Sequence, residues 1–193
     1  MLPVRQQIGG LGNLMFKQAY LYALMRDGII PDIYVQEQDY WERYKDEVKQ
    51  LFGEGIGYSD YVALQIRRGD YLKTDFYINL WETDYYQKAV ALFPDSRFLV
   101  FCHDNQDPQQ DYEDKEWCKR FLNEFIPDRY LMWEAGEETD DLNAMASCKA
   151  KIIANSTFGW WAGFLGKGEV VCPAQWFTDG IQRTQLLEEW KKI

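Results

Sequence analysis

The chain has 193 residues, 47% of them hydrophobic and 17% aromatic, and 31 acidic against 21 basic residues give a net charge of −10. Such a composition suits one good core with room for a small second lobe, and excludes a disordered polypeptide. It also argues against nucleic acid as a partner, because a phosphate-backbone binder shows a basic face and the Lys and Arg residues here are scattered.

No apolar stretch reaches the roughly 18 residues that a membrane-spanning helix needs. The first residues, MLPVRQQIGG, lack the apolar segment of a signal peptide, which points to a cytoplasmic protein. Cys102, Cys118, Cys148 and Cys172 are widely spaced, with no C-x-x-C pair. They read as free cysteines in a reducing compartment, mostly in the core.

In chain order, VRQQI reads as a strand, GGLGN (9–13) as a turn, and LMFKQAYLYALMRD as a helix closed by Gly28 with Pro31 beyond. PDIYV reads as a further short strand. QEQDYWERYKDEVKQLFGEG is polar, aromatic and helical in pattern, and ends in a linker with Gly53, Gly55 and Gly57. From residue 61 the pattern changes to short, continuous apolar runs: YVALQI, RFLVFC, RYLMW, KIIAN and EVVC. Buried parallel strands look like this. Between them lie helices with readable starts: Thr83 before DYYQKAVALF, EDKEWCKRFLNEF with its acids first, Thr139 before DDLNAMASC, and Ser156 or Thr157 before FGWWAGFLG. The expectation is a Rossmann-like lobe over 58–178, a reduced α/β lobe over 1–57 and a C-terminal helix over 179–193.

Ligands of an open parallel sheet bind beyond the carboxyl ends of its strands. Arg67-Arg68-Gly69-Asp70 follows the first of those strands. Two arginines on a surface usually make ordinary ion pairs. At a strand end, their planar forks suit phosphate oxygens, with Asp70 as an orienting partner. Ser156 and Thr157, at a helix start, offer hydroxyls and free N–H groups as an anion cradle, or simply a helix cap. GGLGN admits close backbone approach to a sugar or phosphate, or is a plain turn. His103 is a lone histidine at a strand end. Trp160 and Trp161 read as core. With no D-x-D, no H-E-x-x-H and no His/Cys cluster, a bound diphosphate would be neutralised by arginine and helix N-termini rather than by a metal. No G-x-S-x-G or Cys/His arrangement suggests a covalent nucleophile.

GGLGNLMFKQAYLYAL, QIRRGDYL, DYYQKAV, FLVFCHDN with EWCK, DLNAMASCKAKIIANSTFGWWAGFL and CPAQWF, in this order, resemble the α-1,2-fucosyltransferases. The likeness covers residues 4–27 and nearly all of 60–178. It implies a two-lobe GT-B-like fold and metal-independent, inverting transfer of fucose from GDP-fucose to a glycan hydroxyl. By that likeness Arg68, with Arg67, would hold the β-phosphate as charge develops on the leaving group, with Asp70 in support. Asn155, Ser156 and Thr157 match a second motif at the donor, and Gly9, Gly10 and Asn13 match the loop that faces it.

Three positions depart from the family pattern. Gln65 stands where the family keeps histidine. Cys102-His103-Asp104 stands where it keeps S-D-D, so that Asp104 would take over base recognition beside His103. The stretch between GGLGN and the arginines is much shorter than in typical members. A sugar-nucleotide-binding relative without transferase activity is the alternative reading. An incomplete first lobe would also leave apolar surface that a second copy, as a homodimer, could cover.

Overall fold

A computed structural model describes residues 10–27, 41–52, 60–102, 108–134 and 136–193. Its centre is a parallel sheet of β1 (Tyr61–Gln65), β2 (Arg97–Phe101), β3 (Tyr130–Met132), β4 (Ala150–Ile152), β5 (Val170–Cys172) and β6 (Lys191–Lys192). The strand order is β3-β2-β1-β4-β5-β6, with every pair parallel. Reversal of the order at β1 and β4 makes these two strands neighbours, with Val62 opposite Ala150 and Leu64 opposite Ile152. A topological switch point of this kind opens a crevice at the carboxyl edge. The Rossmann-like α/β architecture expected from the apolar runs is present.

Alternate residues of β1 face opposite layers. Val62 and Leu64 join Phe98, Val100 and Ile152 beneath α3 (Tyr85–Ala91) and α4 (Pro108–Asn123). Ala63 faces the other way, with Leu99, Phe101 and Ile153, beneath α5 (Glu138–Ala146) and α6 (Thr157–Leu165). α6 is apolar all round because α1 (Leu11–Asp27) covers its outer side. Phe16 packs on both Trp160 and Trp161, at ring-centroid distances of 4.6 and 5.0 Å. Trp41, just before α2 (Lys45–Phe52), stacks on Trp161 at 5.6 Å. Both Trp160 and Trp161 are fully buried, so they are core, as their setting in the sequence suggests.

Of the expected N-terminal lobe, the described residues are helical, and α1 and α2 share the core of α6 rather than a sheet of their own. The strands read at VRQQI and PDIYV lie outside the described residues, as does the expected boundary at 57. The C-terminal helix expected over 179–193 does not form. Leu187 and Trp190 instead lie buried against the core, the Gln185 carbonyl accepts the Trp160 indole N–H at 2.6 Å, and the chain ends as edge strand β6. Pairing with β5 gives the last residues backbone partners, the Ile193 N–H donating to the Cys172 carbonyl at 3.1 Å. Among the described residues no helix is long and apolar enough to cross a membrane.

Candidate active site

β1 ends at Gln65, and Gly69, at φ +42°, lets the chain reverse directly after the arginines. The two arginines diverge. Arg67 reaches Asp70 at 2.6 Å through Nη2, in a pair whose side chains are 30% and 62% exposed, and its guanidinium lies 5.5 Å from the Tyr71 ring centroid. Arg68 turns inward. Its Nε donates to Asp114 Oδ1 at 2.9 Å, while the Gly69 N–H donates to Asp114 Oδ2 at 2.9 Å. Its guanidinium carbon lies 3.9 Å from the Trp117 ring centroid and 5.1 Å from that of Trp81. Asp70 therefore supports Arg67 alone, and the carboxylate that holds Arg68 comes from α4.

The neighbouring strand end is tied to β1. Gln65 is buried, and its Oε1 accepts the Ala154 N–H at 3.0 Å. Any side chain at Gly159 would strike that amide. Gln65 thus fixes the entry to α6 from inside the fold. Asn155 is also buried, and its amide donates to the Ile78 carbonyl at 2.9 Å and the Trp176 carbonyl at 3.0 Å. The Tyr71 hydroxyl donates to the Asn155 carbonyl at 2.7 Å. The turn after the arginines is thereby pinned to the residue just before the α6 cap.

Two tyrosines of α3 finish the frame. Tyr86 donates to the Gln65 carbonyl at 3.1 Å, and Tyr85 to the Ile153 carbonyl at 2.6 Å. Burial pushes both hydroxyls well above the ordinary tyrosine range, so they remain donors at physiological pH.

Ser156 caps α6 with an extended backbone, φ −137° and ψ 135°, but its hydroxyl makes no capping hydrogen bond. The N–H groups of the first turn of α6 have no acceptor within the helix. They carry the positive end of its dipole. The N-terminus of α1 meets this turn. A Cβ on Gly12 would stand 2.6 Å from Thr157 Oγ1 and 2.7 Å from the Phe158 nitrogen, and the Gly12 carbonyl accepts the Trp161 indole N–H at 2.9 Å. Gly10 and Asn13 sit at this junction, the Asn13 N–H donating to the Gly10 carbonyl at 3.0 Å.

The fold therefore gathers Arg67, Arg68, Gln65, Asn155, Ser156 and Thr157 on adjacent strand ends, with Gly10 and Asn13 at the facing helix start. Gly9, His103 and Asp104 lie outside the described residues. Among the described residues, no three His, Cys, Asp or Glu side chains cluster as cation ligands. All four cysteines are free and buried. A separate groove of about 520 Å³, between α2, the C-terminal half of α6 and residues 185–190, contains none of the candidate site residues.

The profile described as glycosyl transferase family 11 matches residues 10–193. The chain belongs to glycosyl transferase family 11. The chain is also similar to the O-antigen biosynthesis glycosyltransferase WbnK of Escherichia coli, 30% identical over 66% of this chain and 43% of that protein. An alpha-1,2-colitosyltransferase of Escherichia coli is 26% identical over 74% of this chain and 54% of its own length. The galactoside 2-alpha-L-fucosyltransferase SEC1 of Bos taurus is 28% identical over 79% and 43%. The chain spans about half the length of these curated relatives. No solved structure matches it.

Against that family background, four site residues escape a reading of motifs. Gly12 is the glycine of GGLGN that the helix junction requires, and only the contact with Thr157 reveals it. Asp114, Trp117 and Trp81 come from distant positions. Asp114 and Trp117 share one face of α4, three residues apart, and that spacing is the one local signal that they act together.

Proposed function

We propose that this family 11 chain transfers L-fucose from GDP-fucose to a hydroxyl of a glycan acceptor, with inversion and without a metal. The observation that carries the reading is the Arg68 guanidinium, fixed by Asp114 after a strand whose neighbour, β4, leads into the α6 N-terminus. As the glycosidic bond to the diphosphate breaks, negative charge grows on the β-phosphate. A prepositioned guanidinium, the first-turn N–H groups of α6 and the hydroxyls of Ser156 and Thr157 would stabilise that charge more in the transition state than in the ground state. The positive charge this requires is available from the protein itself, which is the basis for expecting no metal. The two relatives whose names specify a linkage are both alpha-1,2 enzymes or 2-alpha enzymes, one named for colitose and one for fucose and galactosides. Those names favour a 6-deoxy sugar and a galactoside acceptor here.

The test is calorimetric binding of GDP, and turnover of GDP-fucose with lactose, both in EDTA, for wild type and Arg68→Ala. We expect GDP binding, release of GDP, and a loss of about 2–4 kcal/mol of transition-state stabilisation in the variant, the scale for losing one charge-stabilising donor. Absence of GDP binding would overturn the donor site. Binding without turnover would favour a sugar-nucleotide-binding relative that lacks transferase activity.

A further inference from the structure

We infer that Asp114, Trp117 and Trp81 form a preset cage for the Arg68 guanidinium, which holds one edge of the fork and presents the other to an anion. This rests on the phosphate-binding reading of Arg68 above and adds the residues that position it.

The geometry divides the guanidinium into a used and an unused edge. Asp114 is buried, and its two oxygens serve two donors: Oδ1 takes Arg68 Nε and Oδ2 takes the Gly69 N–H, each at 2.9 Å. A single carboxylate thus fixes both the side chain and the backbone turn from which it springs. Trp117 lies against the guanidinium at 3.9 Å, and Trp81 stands on an adjoining side at 5.1 Å. Trp117 is itself stacked on Phe121 at 4.8 Å, with an interplanar angle of 17°, and meets Trp81 edge-on at 6.2 Å. With its Nε bonded to Asp114 and two indoles against it, the guanidinium is held in one orientation.

The Nη edge differs. Among the described residues, neither Nη nitrogen of Arg68 has a hydrogen-bond partner, although the side chain is only 13% exposed. Guanidinium carries five N–H donors, and sheltered donors are normally satisfied. Arg129 shows what a structural arginine looks like in the same fold. Its Nε and Nη2 are filled by the Ser96 carbonyl at 3.3 and 3.0 Å, and its Nη2 also by the Phe93 carbonyl at 2.7 Å. Arg68 is held as firmly, yet its fork is left open, the arrangement that suits bidentate contact with two phosphate oxygens. Asp114 and Trp117 are positioning residues: they touch Arg68 and need not touch the donor.

Chemical rescue tests the cage directly. Arg68→Ala empties it while leaving its walls, so methylguanidinium should enter and restore part of the GDP-fucose turnover. In the double variant Arg68→Ala/Asp114→Asn, which lacks the carboxylate charge, rescue should be lost. In the single variant Asp114→Asn, kcat/KM should fall by about 100-fold, the scale for misplacing a reacting group by about an ångström. Most of that loss should appear in kcat, and Trp117→Phe, which keeps a flat face, should retain most of the activity. A second readout does not depend on turnover. Methylguanidinium should shift the Trp117 indole N–H resonance of Arg68→Ala saturably, and should leave it unmoved in the double variant. Equal rescue or equal shifts in both variants, or wild-type kcat/KM in Asp114→Asn, would overturn the cage. Failure of wild type to bind GDP would instead overturn the donor reading, while the resonance shift would still report on the cage.

Discussion

Gly12 at the start of α1 and Thr157 at the start of α6 are in contact so close that a methyl group on Gly12 would lie 2.6 Å from both the Thr157 carbonyl carbon and its Oγ1. Two helix N-termini, 145 positions apart in the chain, are thereby brought to one place. Two positive dipole ends repel each other, and the junction is held by the burial of Phe16, Trp160 and Trp161 beneath it. A bound anion would relieve that repulsion. Gly12→Ala must push backbone, not a flexible side-chain tip, so it should cost about 1–3 kcal/mol. Thermal unfolding with and without GDP checks this: the variant should melt lower and gain less from GDP than wild type does. An unchanged Tm would show that α1 and α6 do not meet this closely.

Gln65 makes a different prediction from the other residues of its strand end. Its Oε1 is the acceptor for the Ala154 N–H, so Gln65→Leu buries that N–H without a partner. The penalty for an orphaned buried donor is about 1–3 kcal/mol. Urea denaturation should show this loss, with an unchanged m-value. If Gln65 met the donor directly instead, the variant would keep its stability and lose GDP affinity.

The two carboxylates near the arginines should behave oppositely. Asp70 pairs with Arg67 in the open, and exposed pairs contribute about 0–1 kcal/mol, so Asp70→Ala should leave stability nearly unchanged. Asp114 pairs with Arg68 under cover, and removing one partner of a buried pair costs about 3–5 kcal/mol. Denaturation midpoints for Asp70→Ala and Asp114→Ala, compared at one pH, separate these cases. Equal losses would contradict the division of labour between the arginines.

The sheet was legible in the sequence because buried parallel strands are continuous apolar runs, and the five runs read from it coincide with β1 to β5 within three residues at each end. β6 was not legible: LysLys at an edge strand carries no apolar signal, and the Leu186, Leu187 and Trp190 spacing imitates a helix. Of the candidate site, strand-end position alone pointed to Arg67, Arg68, Ser156 and Thr157. What their side chains touch was hidden, because hydrogen-bond partners are set by tertiary packing. Gln65, at the position of the family's histidine, has its amide turned into the fold against Ala154 and Gly159, a partnership the sequence does not show. Asp114 looked like one more acid among many in α4, and only the approach of α4 to the arginine loop singles it out.

Lys151 on β4 makes the last prediction, a pH dependence. It is fully buried among α5, α6 and β5, and its ammonium nitrogen meets the Lys167 carbonyl. Burial lowers its pKa from 10.5 to about 8, with Cys148 pulling weakly the other way. Between those values the unfolded lysine keeps its proton and the folded one has lost it, so the unfolded state binds more protons and stability rises with pH. The gap corresponds to at most about 3 kcal/mol, at about 1.4 kcal/mol per pH unit. Buried Cys148 and Cys172, each pushed up to about 12, act in the opposite sense from about pH 9, because there the unfolded thiols ionise first. The lysine is isolated by difference. The difference between the unfolding free energies of wild type and Lys151→Met, measured from pH 7 to 10.5, should change by up to that amount, with wild type gaining on the variant as pH rises. The variant should be the more stable of the two at pH 7, where the buried ammonium is still charged. A difference that stays flat across the range would show that Lys151 keeps its ordinary pKa in the fold.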